Sequence, residues 1–320
     1  MGRGVKKSEG RRKWPLFRNI LQWLFVISIF LFLGKMVWEN WSQIQGASFT
    51  LRPLPLFLST ALFALSYFVQ IWAWYLITLN LGIALPFQET LEGWFYSQMG
   101  KYLPGKVWLL LGRFYFYDSK GKSRKTLTVA LYFETVTMIA AAGLLFFASL
   151  FFLKEVQSAP FQWAFLWLAL ILPAALFSLH PRILQRLSNG ILRFLKKEPI
   201  TISMSYPDIL RVLGVCLCSW AMGGVGFYLF VDSVFPVSSS HILFLTGALA
   251  ISNTLGLLAL FAPSGLGVRE GVLVFLLSSI MPGSVAVVLC VLTRLWMTLI
   301  EIGLIGVVYL TGKFRQRRRA

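Results

Sequence analysis

Charge is scarce in this sequence, and acidic charge scarcer still: 13% of its 320 residues are charged, with 12 Asp and Glu against 30 Lys and Arg. A soluble domain is about a quarter charged, so an ordinary water-facing surface is excluded. Histidine occurs only at His180 and His241, with no H-x-x-x-H or similar spacing, which argues against metal-dependent hydrolysis. The three cysteines, Cys216, Cys218 and Cys290, lie in apolar stretches and form neither a disulfide framework nor a zinc spacing. "GLGVREG" (265–271) has no strand before it, so it is not a dinucleotide fingerprint. No cofactor is expected.

What the chain has in abundance is apolar surface: 57% of residues are hydrophobic, and the mean hydropathy is +0.72. Several runs reach the roughly 20 residues that cross a bilayer. The expected class is an all-α polytopic membrane protein. A net charge of +18 would suggest nucleic acid in a soluble protein. Here the basic residues sit mainly at the termini and in loops, which fits anionic lipid and membrane orientation instead. No nucleic-acid partner is expected.

Six segments could cross fully, at roughly 19–38, 55–80, 126–153, 161–179, 209–232 and 284–311. Two more, about 87–116 and 241–281, are apolar but broken, the first at "YLPGK" and the second at "FAPSGLGVREG". The N-terminal "MGRGVKKSEGRRKWPLFR" and the following apolar run resemble the start of a signal peptide. The run is long for one and no small-residue cleavage site follows, so it is read as a retained first helix. The expected organisation is a basic arm (1–18), one transmembrane domain (19–312) and a basic tail (313–320).

Four basic clusters set the orientation: the arm, the 113–125 loop, the region around 181–199 and the tail. The positive-inside rule puts all four, and so both termini, in the cytoplasm of a cell that carries the protein in its plasma membrane. The parity closes only if each broken segment crosses an even number of times. It does not distinguish re-entrant hairpins from pairs of short complete helices.

A weak internal repeat follows the same lines, with units at about 55–153 and 209–311. Each unit is a helix, a broken segment and a helix, and the two enter the membrane from opposite sides. Inverted units with broken helices are a transporter pattern. Within the third helices, "FETVT" places Glu134 inside the membrane, and "LTRLWMTLIEIG" places Arg294 there, with Glu301 two turns further on near the same face. Such groups either line a polar cavity between the repeats or form a structural ion pair, such as Glu134 with Arg294. Lys101, Lys106 and Arg113 flank the break at Pro104-Gly105, where freed backbone amides favour an anion such as a lipid phosphate. The alternative is that these cations snorkel to the interface. Gly265 and Gly267 permit a tight turn before Arg269 and Glu270, where a helix restarts. Ser219, Gly223 and Gly226 share a helix face suited to close packing, and the twelve tryptophans read largely as interface anchors.

"GKYLPGKVWLLLGR" (100–113) and "APSGLGVREG" (262–271) together resemble the lysylphosphatidylglycerol synthase transmembrane family, the flippase-like membrane domain of the multiple peptide resistance factor. Pro104, Gly105 and Arg113 match the family's first motif; Pro263, Gly265, Gly267 and Glu270 match its second. The resemblance covers roughly residues 15 to 312. It implies broken helices and movement of lipid between leaflets. The expectation is a stand-alone member without the synthase domain, and not an enzyme.

Three functions remain open at this point. The first is a translocator of an anionic or aminoacylated phospholipid, or of a polyprenyl-phosphate-linked lipid. In it Lys101, Lys106 and Arg269 attract phosphate, while Glu134, Glu270, Arg294 and Glu301 line the path. The second is a membrane-embedded headgroup transferase. The third is a non-catalytic partner of a glycosyltransferase or an aminoacyl-lipid synthase.

Overall fold

A computed structural model of the chain describes residues 49–102, 107–151, 180–194, 204–259 and 267–319, with a few isolated positions besides. Among the described residues the regular structure is entirely helical. The first full helix among the described residues, α1 (Pro53–Asn80), starts on a proline and ends at Gly82, whose φ of 71° suits a residue without Cβ. Helices α2 (Phe87–Gln98) and α3 (Val107–Ser119) follow, then α4 (Arg124–Phe151) and α5 (Pro181–Phe194). Helix α6 (Tyr206–Val234) opens with a capping box between Ser205 and Asp208 and a proline in its first turn. Then come α7 (Ile242–Leu258), α8 (Val268–Leu277) and the long α9 (Gly283–Arg319).

Among the described residues, five stretches are long and apolar enough to cross a membrane: Pro53–Asn80, Arg124–Leu150, Tyr206–Val234, Ser239–Leu258 and Gly283–Gly312. Four of them correspond to expected full crossings. The expected spans at 19–38 and 161–179 lie outside the described residues.

The first broken segment is a hairpin. A Cβ on Gly93 would meet the ring of Phe116, one on Gly112 would sit 3.3 Å from the Ser97 Cα, and one on Gly100 would sit 2.5 Å from the Leu109 backbone nitrogen. These pairings run in opposite directions, so α2 and α3 are antiparallel. Their 12 and 13 residues extend only about 18–20 Å, short of the roughly 30 Å hydrocarbon core.

The second broken segment departs from the expected symmetry. Its first arm, with the turn before it, is long enough to cross. Its second arm, α8, has 10 residues, about 15 Å. The two arms still fold back on each other, because a Cβ on Gly256 would come within 2.9 Å of the Arg269 Cβ.

The two unit-opening helices, α1 and α6, pack against each other. Apolar burial gives little drive between helices in lipid, so close approach of small residues and polar contacts matter more. Gly223 lies over Phe63 and Ser66, and Gly226 over the Ser59 carbonyl. The Ser219 hydroxyl donates to the Ser66 carbonyl at 2.9 Å. Arg52 bonds Asp232 where the start of α1 meets the end of α6, so the helices are antiparallel. Further contacts come in matched sets: α4 on α7 and α9 on α2; α4 on α6 and α9 on α1.

The described tryptophans divide between an exposed set, including Trp72 and Trp108, as interface anchors would be, and an interior one. Trp74 and Trp94 are fully buried, and Trp296 is stacked on Phe230 with centroids 4.6 Å apart. Buried indole carries a polar N–H that needs an acceptor, and each finds one: Trp74 at Tyr117 (2.8 Å), Trp296 at Thr60 (3.2 Å) and Trp94 at Glu134 (3.4 Å).

Candidate functional site

Two groups of charged side chains occupy the interior. The first belongs to the first hairpin and the helix after it. Arg113 on α3 is 1% exposed. The close approach of Gly112 to α2 brings the Arg113 Nε within 3.3 Å of the Ser97 hydroxyl, which itself donates to the Trp94 carbonyl. The Arg113 Nη1 donates to Glu134 at 2.7 Å. Its guanidinium carbon lies 4.4 Å from the Trp74 ring centroid and 5.8 Å from that of Trp94. The guanidinium is thus neutralised by one carboxylate and stacked on an aromatic face, an arrangement that Arg supports and Lys does not.

The second group gathers around α9. Arg294, Met297 and Glu301 stand three and four residues apart, on one helix face. At one end of this face Arg294 donates to Glu270 at 3.4 Å. At the other, the Lys101 ammonium from the tip of the first hairpin bonds Glu301, which is 2% exposed. Between them, the Arg269 Nη2 donates to the Met297 sulfur at 2.9 Å. Glu270 has a second duty. It stands in the first turn of α8 and accepts the Gly267 N–H at 2.8 Å, so one carboxylate caps a helix and holds an arginine of the neighbouring one. Gly265, at φ 70°, closes the turn against Gly256; a Cβ there would sit 2.6 Å from the Gly256 carbonyl oxygen.

At the exposed end of the first hairpin, Arg124 donates twice to Asp118, at 2.8 and 2.5 Å. That hydrogen-bonded ion pair holds the Asp118 carboxyl below its usual range.

The structure therefore divides the expected site residues. Arg113 and Glu134 form one group; Lys101, Arg269, Glu270, Arg294 and Glu301, with the turn glycines Gly265 and Gly267, form the other. Pro104, Gly105, Lys106 and Pro263 lie outside the described residues. The pairing of Glu134 with Arg294 is corrected: Glu134 takes Arg113 and Arg294 takes Glu270, each within its own unit. A short second arm folds against its own third helix in both units, so the local partner is reached first. Trp74, Trp94, Ser97 and Met297 escape sequence reasoning, since an indole, a hydroxyl or a thioether in an apolar run carries no periodic signal.

The chain belongs to the family described as the lysylphosphatidylglycerol synthase transmembrane region, whose sequence model matches residues 19–306. No curated protein matches the chain.

Proposed function

We propose that this membrane protein translocates an anionic lipid between leaflets, passing the headgroup along the α9 face while the acyl chains stay in the bilayer. The family match is to a transmembrane region and not to a catalytic domain, which is compatible with transport. The observation that carries the reading is the convergence of the tip of the first hairpin and the short arm of the second on Arg294, Met297 and Glu301 of one long helix. Ionisable groups inside a membrane are costly and mark substrate paths. Discontinuous helices that meet at a repeat interface are the usual frame for such paths. The Lys101 and Arg294 side chains remain 29% and 22% exposed, so a headgroup can reach them.

The matched contacts of the two units, and the antiparallel α1 and α6, support an inverted repeat with its pseudo-two-fold axis in the membrane plane. On this reading the four basic clusters face the cytoplasm and the protein resides in the plasma membrane. Candidate cargoes are phosphatidylglycerol, its aminoacylated form and polyprenyl-phosphate-linked lipids. An adjacent glycosyltransferase or aminoacyl-lipid synthase is a candidate partner.

The test is a proteoliposome assay with fluorescent analogues of each lipid and a membrane-impermeant quencher. Purified protein should accelerate loss of protection for at least one anionic probe, and Lys101→Met should slow it. Folded wild-type protein that leaves every probe at the protein-free rate would falsify the proposal.

A further inference from the structure

Helix α5 takes no part in the charged interior. Its 14 residues reach about 21 Å, too short to cross a bilayer, and three arginines with Gln185, Ser188 and Asn189 make it too polar to do so. Its pattern is sharply two-sided. At about 100° per residue, Ile183, Leu184, Leu187, Ile191 and Phe194 fall within one arc of about 100°, and Arg182, Arg186 and Arg193 within another of about 40°. The stretch 181–197 contains no acidic residue.

The place of α5 in the bundle follows from its neighbours. Helices α4 and α6 pack together, and the Trp220 indole donates to the Met138 carbonyl at 3.2 Å. One turn earlier on each helix, Cys216 lies in the field of Glu134. Trp220 and Met138 both stand 14 residues beyond the first residue of their helix. The two helices therefore run parallel and start at the same end of the bundle, where the basic 113–125 loop also lies. Helix α5 is held at that end. The His180 ring just before it lies 5.9 Å from the ring of Tyr206, the first residue of α6, and its body packs on α4. Leu192, wholly buried, marks the side toward the bundle. The arginines and the apolar arc fall on opposite flanks of that side. All three arginines are exposed, and so, on the apolar arc, are Leu187 (45%) and Phe194 (88%).

We infer that α5 lies in the membrane interface and docks on the anionic headgroup surface at this end of the bundle, with its apolar arc inserted among the upper acyl chains. Leaving Leu187 and Phe194 in water is unfavourable, and the apolar medium beside them is the bilayer that α4 and α6 enter at this level. An amphipathic helix with basic residues along its polar flank is built for that boundary. The arginine stems follow the apolar edge while the guanidinium groups stay among the headgroups. The contact is with the charge of the surface and not with one headgroup, and it is independent of the translocation reading. A protein partner would have to displace the bilayer already present.

The test uses the full-length chain in nanodiscs, with its native cysteines replaced and a fluorophore on Leu187→Cys or Asn189→Cys. The discs contain phosphatidylcholine alone, or with phosphatidylglycerol or an equal amount of phosphatidylserine. Quenchers are acrylamide from the water and spin-labelled acyl chains from the bilayer. With either anionic lipid, the 187 probe should be quenched from the acyl chains and shielded from acrylamide, while acrylamide reaches the 189 probe. Replacing Arg182, Arg186 and Arg193 together by Gln should weaken the contact about fivefold per residue, or about hundredfold in all, and return the 187 probe to acrylamide. If that variant does not fold, high salt on the unsubstituted arginines screens the same charges and should have the same effect. A 187 probe open to acrylamide in every disc overturns the inference. So does acyl-chain quenching indifferent to both anionic lipid and the arginines, since charge would then play no part. A response to phosphatidylglycerol without one to phosphatidylserine overturns it in favour of a site for one lipid. A 187 probe shielded from both quenchers overturns it in favour of a covering protein surface.

Discussion

Removing the carboxylate of Glu134 strands Arg113. That guanidinium is 1% exposed, and its other neighbours are the Ser97 hydroxyl and the faces of Trp74 and Trp94, none of which carries charge. The rings and the hydroxyl soften the loss, since a desolvated cation–π contact is worth about 2 kcal/mol. They do not replace an ion, and breaking a buried pair on one side costs about 3–5 kcal/mol. Total stabilities are only about 5–15 kcal/mol, so Glu134→Ala should markedly lower the thermal midpoint of the detergent-solubilised protein, followed by fluorescence-detected size exclusion. The same reasoning predicts rescue. Arg113→Met with Glu134→Leu leaves no unpaired charge and should fold about as well as wild type, or better. If the double variant is as unstable as Glu134→Ala, or Glu134→Ala is as stable as wild type, the buried-pair account is wrong. A folded double variant also separates roles: normal lipid movement would assign Arg113–Glu134 to packing, and lost movement at normal abundance would assign it to transport.

Gly100→Ala should destabilise by about 1–3 kcal/mol or more, because its Cβ would press into the Trp108–Leu109 backbone. Gly214→Ala, with nothing within 4 Å, should be neutral or stabilising by about 0.4–1 kcal/mol; paired thermal midpoints check both, and equal effects would count against the tight hairpin. Lys101→Cys with Glu301→Cys should crosslink readily with a short bifunctional reagent in native membranes, and absence of crosslinking would remove the tip of the first hairpin from α9. In a background without native cysteines, Ser119→Cys on intact cells should resist an impermeant maleimide. Ready external labelling there would invert the proposed orientation.

Much of the frame is legible in the sequence because helix-length apolar runs and Pro-Gly breaks are local signals. The expected runs at 55–80, 126–153, 209–232 and 284–311 correspond to α1, α4, α6 and α9 within a few residues at most ends, although α9 extends further, to Arg319. The small face of Ser219, Gly223 and Gly226 meets α1 for the steric reason that its spacing implies. The partners of the charges are not legible. An isolated Glu134 in an apolar run announces that a cation must be near, and Arg113 and Arg294 both qualify; only the fold of the hairpin chooses Arg113. Lys101 and Glu301 are 200 residues apart, and nothing local to either names the other. The buried tryptophans are misjudged for a related reason: an indole in a membrane segment suits the interface and the core equally well until its N–H finds an acceptor.

The two intra-unit pairs share one plan with the charges exchanged. In the first unit the second hairpin arm carries the arginine and the following helix the glutamate, Arg113 to Glu134; in the second the arm carries the glutamate and the helix the arginine, Glu270 to Arg294. Each pair fastens the second arm of a hairpin to the long helix that follows it. Among the described residues the ion pairs that join the units are Arg52–Asp232, where Arg52 is 44% exposed, and Lys101–Glu301, whose glutamate is buried. An exposed pair contributes little. On the translocation reading, a rocking motion of one unit against the other would preserve both intra-unit pairs and strain chiefly Lys101–Glu301. A headgroup anion that competes with Glu301 for Lys101 acts at the buried ionic tie that joins the units among the described residues. It therefore supplies the differential interaction that any ligand needs to shift a conformational equilibrium.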